Sequence, residues 1–171
     1  AAIANGGTIL KPTIAKAIVK TDGTVIKEFK PEKLGVLPAD KETIKFLNRS
    51  LREVVVSGTG AGAFNSFPVP ISGKTGTAQV FGKNANGRAK ADTSWFASYG
   101  PTNNPRFAVV MMVSQAGFDA SVSGVGTRKI YETLFGVVGS KVSSAKILFP
   151  SGIPPVGLPK ISPATKVKGA K

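Results

Sequence analysis

A lysine and a threonine stand between two glycines at residues 73–76 (GKTG). The stretch from Ile71 to Val80 is otherwise typical of a strand, and glycine inside a strand normally marks a close approach by another backbone or a ligand. Strand periodicity places Lys74 and Thr75 on opposite faces. One ligand can therefore meet both side chains only along the strand edge, as an added strand would. The sequence predicts a binding edge on this strand.

The composition excludes several kinds of catalytic site. The 171 residues contain no cysteine and no histidine, which excludes disulfides, thiolate metal sites and a serine-histidine-aspartate triad. We expect neither a metal ion nor a cofactor. A serine enzyme of this composition needs another general base, and lysine is the natural candidate because burial and neighbouring charges can depress its pKa.

The chain is strongly basic, with a formal net charge of +14. The charge is not gathered into a stripe: residues 139–171 carry six lysines and no acid, and residues 1–138 carry seventeen basic and nine acidic residues. We therefore expect no nucleic-acid partner. An anionic wall polymer or an acidic membrane surface accounts for the same charge, and a basic binding module is the alternative of a different class.

Short connections predict three consecutive antiparallel strands around the lysine. These strands are expected at 71–80, 93–99 and 107–113. The third is apolar on both faces, which predicts helices on both sides of the sheet. One helix should run from Lys41 to Val56 after an N-cap at Asp40, and another should begin at Thr127 and stop at Gly139.

The first sixty residues carry weaker patterns. Residues 1–5 have the character of a last helical turn closed by a glycine cap. A β-hairpin is predicted from 8–20 and 24–29, with an Asp-Gly turn between them. Residues 31–38 are expected to form a connection, and the glycine-rich residues 57–62 a flexible connector.

The segment Gly73–Gln79 (GKTGTAQ) resembles the third signature of penicillin-binding proteins and serine β-lactamases, Lys-Thr-Gly. In this seven-residue form it is similar to the monofunctional, class B penicillin-binding transpeptidases. Ala2–Gly7 and Asp92–Ala97 resemble the segments that flank this strand in the family. The resemblance covers residues 1–139, which it identifies as the C-terminal half of a transpeptidase domain. Residues 140–171 form a Lys/Pro-rich tail that we expect to be poorly ordered or docked on a neighbour.

The resemblance implies a fold and a set of roles. The fold is α+β, an antiparallel sheet flanked by helices on both faces. Lys74 would help bind the substrate carboxylate and hold the proton-relay network electrostatically, and it is a catalytic residue together with Thr77, whose backbone N–H would form half of an oxyanion hole. The hydroxyls of Thr75 and Thr77 would bind the terminal carboxylate of a D-Ala-D-Ala stem or a β-lactam, and Gly73 and Gly76 would leave space for the peptide. The residues expected to bind substrate are Gly73, Lys74, Thr75, Gly76, Thr77 and Gln79.

Two of the three family signatures are missing from the sequence. No Ser-x-Asn occurs in the 171 residues. The one literal Ser-x-x-Lys, Ser143–Lys146, follows Lys-Thr-Gly, whereas the family places its nucleophile well before it. The nucleophilic serine is therefore expected in an N-terminal part of the same protein, and this chain alone should not be active.

The resemblance implies that the parent protein is a serine-type D,D-transpeptidase that cross-links peptidoglycan and is inhibited by β-lactams. Its expected partners are peptidoglycan stem peptides, β-lactam antibiotics, the N-terminal part of the same protein, and cell-division or elongation proteins. It would work on the extracytoplasmic side of the cell membrane. A D,D-carboxypeptidase or β-lactamase-like hydrolase and a catalytically inactive, penicillin-binding-like sensor stay open as alternatives.

Neighbouring aromatic and basic residues have simpler expected roles. Trp95 and Phe96 are expected in the core rather than on a substrate platform. Lys83, Arg88 and Lys90 are expected in a solvated loop, and their contact with the polymer substrate or a partner is left open.

Overall fold

The computed structural model describes residues 1–118, 120–143 and 146–147. Within these ranges most strands are short, and three helices divide the strands into groups of four, three and two. The elements are β1 (Thr8–Leu10), β2 (Ala17–Val19), β3 (Val25–Glu28), β4 (Lys33–Val36), α1 (Lys41–Val56), α2 (Ala61–Phe64), β5 (Ser72–Ala78), β6 (Thr93–Gly100), β7 (Phe107–Val113), α3 (Ser123–Phe135), β8 (Val137–Val138) and β9 (Lys141–Val142).

The lysine strand β5 belongs to a three-stranded antiparallel sheet of order β5-β6-β7. Short connections allow only this antiparallel arrangement, as predicted. The register pairs Thr75 with Phe96 and Phe96 with Met111. Because paired residues share a face, the register also determines which side chains face the helices.

One face of this sheet, the covered face, lies beneath α2 and α3. Phe96 at its centre is fully buried, and its ring stacks on Phe64 of α2 with centroids 5.5 Å apart. Ser98 donates a hydrogen bond to the Val109 carbonyl at 3.0 Å. The hydroxyl of Tyr131 in α3 lies 3.1 Å from the Ser98 hydroxyl and is therefore the donor in that pair. Burial raises the pKa of Tyr131 to about 12.

The opposite face, the open face, carries Lys74, Trp95 and Met112. Helix α1 reaches one end of it, where the Tyr99 hydroxyl donates a hydrogen bond to the Asn48 side chain. Along the rest of this face Trp95 remains 37% exposed and Met112 53% exposed. The predicted α+β class with an antiparallel sheet is confirmed, and among the described residues the packed core lies on the covered face.

Helix α1 begins and ends where the sequence predicts. Asp40 is its N-cap and accepts a hydrogen bond from the Thr43 N–H at 2.7 Å, which satisfies one of the unpaired donors of the first turn. The same bond holds the pKa of Asp40 below its usual value. Ile44 and Val55, on the predicted apolar face, are buried.

Helix α3 differs from its prediction at both ends. It begins at Ser123 instead of Thr127, and it ends at Phe135 with the left-handed Gly136, not Gly139, as its cap. A Cβ on Gly124, the second residue of the helix, would lie 2.9 Å from the side chains of both Ala120 and Ala63. Close packing against α2 therefore requires glycine at a helix start that propensity alone disfavours.

The N-terminal turn ends as predicted. The Gly7 N–H donates to the Ala2 carbonyl at 2.7 Å and the Gly6 N–H donates to the Ile3 carbonyl at 3.3 Å, with Gly6 at φ 79°. This pair of bonds is the Schellman arrangement that closes a helical turn with glycine in the left-handed region.

The region from residue 8 to residue 36 is only partly as predicted. The hairpin across the Asp-Gly turn forms, but only β2 and β3 take part in it. Strand β1 instead pairs with β4, which lies in the stretch 31–38 that the sequence indicates as a connection. Pro12 follows β1 and has no N–H for a ladder, so the strand ends before it. The pairing of β1 with β4 joins residues distant in sequence and has no local signal.

A small hairpin follows α3 and crosses residue 139. Val137 pairs with Val142 in this hairpin, β8–β9. The division into residues 1–139 and 140–171 remains a prediction, because residues 148–171 lie outside the described residues. Ser144 and Ala145, inside the literal Ser-x-x-Lys, also lie outside them.

Candidate active-site strand

Strand β5 lies at an edge of the three-stranded sheet. Among the described residues its only strand partner is β6. Its first two residues, Ser72 and Gly73, are buried, whereas Lys74 and Thr77 are exposed. The strand therefore begins inside the protein and brings its second half to the surface.

Two carbonyl contacts show which backbone groups point away from β6. The Ile71 carbonyl accepts a hydrogen bond from the Arg52 guanidinium of α1 at 2.8 Å, and the Thr75 carbonyl accepts one from the Lys74 ammonium at 2.8 Å. Backbone groups of a strand alternate between its two sides, with the N–H and C=O of one residue on the same side. The N–H and C=O of Gly73 and Thr77 therefore point to the open edge as well.

The lysine and the threonine meet at this edge, although they start from opposite faces. The Lys74 ammonium lies 3.2 Å from the Thr75 hydroxyl. A long side chain on one face and a short one on the other converge only where no neighbouring strand separates them. This is the arrangement that the sequence predicts for a ligand lying along the edge.

The two glycines of β5 have different surroundings. A Cβ on Gly73 would lie 2.7 Å from the Phe96 ring and 3.0 Å from the Ala97 carbonyl. Among the described residues, a Cβ on Gly76 would have one neighbour within 4 Å, the Trp95 Cβ at 3.3 Å. Packing of the covered face thus accounts for glycine at 73, and only Gly76 lies beside open space.

The remaining predicted residues lie at the exposed end of the strand. Thr77 pairs with Ser94 across the ladder. Gln79 follows the strand and is exposed. Of the six residues predicted to bind substrate, the structure places five in β5 and Gln79 just beyond it.

The loop between β5 and β6 is held by its own hydrogen bonds. The Asn84 side-chain carbonyl accepts from the Asn86 and Arg88 N–H groups, each at 3.0 Å, and Lys83 forms a bridge with Ala89. The Val80 N–H donates to the Asp92 carboxylate at 3.4 Å at its base. The loop is exposed as expected, with both Lys83 and Arg88 at the surface.

Two expectations about neighbouring residues change. Phe96 is core as predicted, but Trp95 lies on the open face and is partly exposed, so its prediction as core is wrong for the described residues. Residues 57–62, predicted to be a flexible connector, form a hydrogen-bonded turn that runs into α2. That turn places the Thr59 hydroxyl 2.7 Å from the Thr75 hydroxyl.

Sequence reasoning missed both Thr59 and Arg52. The only signal for Thr59 was its position between two glycines, and Arg52 had none, because it lies on a helix rich in polar residues. The described residues contain no group of three His, Cys, Asp or Glu side chains suited to a metal ion. They also include no helix with the length and hydropathy needed to cross a membrane.

The profile of the penicillin-binding protein transpeptidase domain matches residues 1–132. The chain belongs to the penicillin-binding protein transpeptidase family. The resemblance found at Gly73–Gln79, to the class B transpeptidase domain, is thereby confirmed.

Individual relatives agree with this family membership. The chain is 29% identical over 145 residues to the peptidoglycan D,D-transpeptidase MrdA of Haemophilus influenzae. This match covers 76% of the chain and 21% of that protein. It is 31% identical over 131 residues to penicillin-binding protein H of Bacillus subtilis, covering 72% of the chain and 18% of the relative. The chain thus spans about a fifth of the length of the curated relatives that it matches.

A solved structure extends the comparison to the fold. Penicillin-binding protein 2B from Streptococcus pneumoniae superposes with a TM-score of 0.64 at 24% identity, over 81% of the chain and 24% of that protein. At this identity the likeness concerns the fold alone. The α+β penicillin-binding transpeptidase fold predicted from the sequence is confirmed.

Proposed function

We propose that this chain is the part of a serine D,D-transpeptidase that binds the substrate backbone and the developing oxyanion. The observation that carries the proposal is the open edge of β5, where the Lys74 ammonium meets the Thr75 hydroxyl and towards which strand alternation directs the Thr77 N–H. Family membership supports a penicillin-binding transpeptidase as the parent protein. The geometry of β5 supports a substrate-binding role for this part of it.

The proposed reaction begins on a serine supplied by the N-terminal part of the same protein. Its hydroxyl oxygen attacks the carbonyl carbon of the D-Ala-D-Ala peptide bond, the C–N bond breaks, and D-Ala leaves with a proton. An amine on a neighbouring peptidoglycan stem then resolves the acyl-enzyme and forms the cross-link. A β-lactam acylates the same serine, but its ring-opened product stays attached.

The residues of this chain would act by holding the substrate. The Thr77 N–H donates to the oxyanion, and a rigid strand donor of this kind is worth about 3–4 kcal/mol of transition-state stabilisation. The Lys74 ammonium and the Thr75 and Thr77 hydroxyls bind the terminal carboxylate. Gly76 leaves room for the peptide, while Gly73 and Gln79 border it.

The parent protein is proposed to work on the extracytoplasmic side of the cell membrane, where peptidoglycan stem peptides are found. Residues 1–139 would form the C-terminal half of its transpeptidase domain, and residues 140–171 a basic tail. Cell-division or elongation proteins are the proposed protein partners. The strongly basic chain is suited to an anionic wall.

Intact mass tests the proposal directly. The whole extracytoplasmic protein and residues 1–171 alone would each be weighed before and after exposure to a β-lactam. We expect one adduct on the whole protein, on a peptide that precedes residue 1, and none on residues 1–171. Absence of an adduct on the whole protein would overturn the acyl-enzyme, and an adduct on residues 1–171 would overturn the division of the site.

A transfer assay tests the choice of acceptor. The acylated protein would be offered a D-amino acid in competition with water. Release of the D-amino acid conjugate supports a transpeptidase, whereas release of free acid only would move the proposal to a D,D-carboxypeptidase or β-lactamase-like hydrolase.

A further inference from the structure

Thr59, outside the predicted site, touches the site strand through its hydroxyl. Its Oγ1 lies 2.7 Å from Oγ1 of Thr75. Thr59 belongs to the turn between α1 and α2, so the contact joins two elements that are separate along the chain. It is a direct side-chain link between that turn and the predicted carboxylate-binding residues.

The turn that carries Thr59 is held by backbone hydrogen bonds and by close packing. The Gly58 N–H donates to the Glu53 carbonyl at 3.0 Å and the Gly60 N–H donates to the Val54 carbonyl at 2.9 Å. A Cβ on Gly58 would lie 2.8 Å from the Val54 backbone, and one on Gly60 would lie 3.2 Å from the Phe96 ring. The turn is pressed against the end of α1 and against the core, which fixes the position of Thr59.

The contact with Thr59 limits which hydrogen bonds the Thr75 hydroxyl can make to a ligand. A threonine hydroxyl has one proton to donate and two lone pairs that accept. One lone pair of Thr75 faces the Lys74 ammonium at 3.2 Å, and an ammonium only donates. If Thr59 donates into the second lone pair, the Thr75 proton is free to point away from both neighbours. If Thr75 donates to Thr59 instead, no Thr75 proton is left for a ligand.

We propose that Thr59 is a positioning residue for carboxylate recognition, which acts by donating a hydrogen bond from its hydroxyl to the Thr75 hydroxyl. With both lone pairs of Thr75 occupied, the Thr75 hydroxyl presents its proton to the incoming carboxylate beside the Lys74 ammonium. An arriving carboxylate favours this arrangement, because an ionised carboxylate accepts hydrogen bonds and donates none. The inference rests on the proposed function and adds to it a residue that sets the direction of a hydrogen bond.

The test uses the whole extracytoplasmic protein and two thioester substrates, one ending in a free carboxylate and the other in its methyl ester. Thr59→Val keeps the branched shape but removes the hydroxyl. We expect it to lower the second-order acylation rate with the carboxylate substrate about fivefold, the worth of the neutral hydrogen bond that orients the Thr75 hydroxyl. The rate with the methyl ester should change by less than about twofold, because the ester carries no anion to orient.

Two further variants serve as controls. Thr59→Ser keeps the hydroxyl and should restore the preference for the carboxylate. Ser57→Ala removes a hydroxyl from the same turn whose partners are in Glu53 of α1, and it should alter neither rate. Melting temperatures of all variants should agree within a few degrees.

The outcomes separate this inference from the proposed function. An equal fall with both substrates in Thr59→Val would make Thr59 structural only and would overturn the inference, while the acyl-enzyme stands. An unchanged carboxylate rate would overturn it too. Failure of the unmodified protein to react with either substrate would overturn the proposed function and this inference together.

Discussion

The two faces of the central sheet are built from the same three strands but are used differently. On the covered face Phe96 and Ser98 are buried under α2 and α3, and hydroxyls and rings fill the space. On the open face Lys74 and Trp95 remain exposed, and α1 covers one end, where Asn48 binds the Tyr99 hydroxyl. Side chains alternate along a strand, so the two faces can differ across most of the sheet. At the edge of β5 the difference ends, because Lys74 of the open face and Thr75 of the covered face meet there.

The contrast is sharpest at the two glycines of β5. Gly73 points at the Phe96 ring, where there is no room for a side chain. Gly76 points to the open face, where an added Cβ would lie 3.3 Å from the Trp95 Cβ. Core packing therefore requires glycine at position 73, whereas glycine at position 76 keeps the open face accessible. Substitutions at the two positions should fail in different ways.

The largest expected effect is on activity at Gly76. Gly76→Val should lower β-lactam acylation of the whole protein by more than ~100-fold, because the side chain would occupy the room that Gly76 leaves for the substrate, and a misplacement of the substrate by about 1 Å is enough for such a loss. The exposed Trp95 side can shift by the few tenths of an ångström that the added Cβ requires, so most of the fold should be kept. Adduct formation by intact mass and melting temperature would be measured together.

A matched control exists in another strand. In the part of the chain that the structure describes, no neighbouring atom lies within 4 Å of a Cβ added to Gly35 in β4. Gly35→Val should therefore leave acylation unchanged. Normal labelling of Gly76→Val would contradict the assignment of Gly76 to the site.

The next effect is on stability at Gly73. Gly73→Ala should lower the free energy of unfolding by about 2 kcal/mol, the usual cost of overpacking a core. Urea unfolding would measure it. Combining it with Phe96→Leu should cost less than the sum of the single changes, because the smaller side chain makes room for the new methyl group. Unchanged stability with lost acylation would instead place Gly73 with Gly76.

The smallest effect concerns the Tyr131 hydroxyl on the covered face. Tyr131→Phe should cost about 1 kcal/mol at neutral pH, the net worth of a buried hydrogen bond. The folded pKa of Tyr131 is raised to about 12 from an ordinary value of 10.0. Its stabilising effect is therefore complete below about pH 10 and is lost as the pH rises towards about 12. The difference between the two proteins should shrink over that range.

Unfolding free energies at several pH values would check this prediction. The sequence has two tyrosines, and burial raises the pKa of Tyr99 as well. Tyr99→Phe should thus show a change of the same sign. Parallel stability curves for the original protein and Tyr131→Phe would contradict the burial of a neutral hydroxyl at this position.

Local patterns predicted the elements that depend on near neighbours. The cap at Asp40 and the apolar period of α1 determine a helix within sixteen residues, and short connections allow only antiparallel pairing of β5, β6 and β7. The site strand was found from Gly73–Gln79 for the same reason. These features arise from the backbone chemistry of adjacent residues, which a sequence displays directly.

Tertiary structure alone decided what distant residues do to one another. The pairing of β1 with β4, the early start of α3 and the exposure of Trp95 depend on which surfaces meet, and no local signal reports this. The same holds for the reason behind Gly73 and for the contact of Thr59 with Thr75. The sequence by itself determined a lysine, a threonine and a backbone donor on one strand. Packing and strand order decided that this strand is an edge, because only the folded sheet shows which backbone groups have no neighbour.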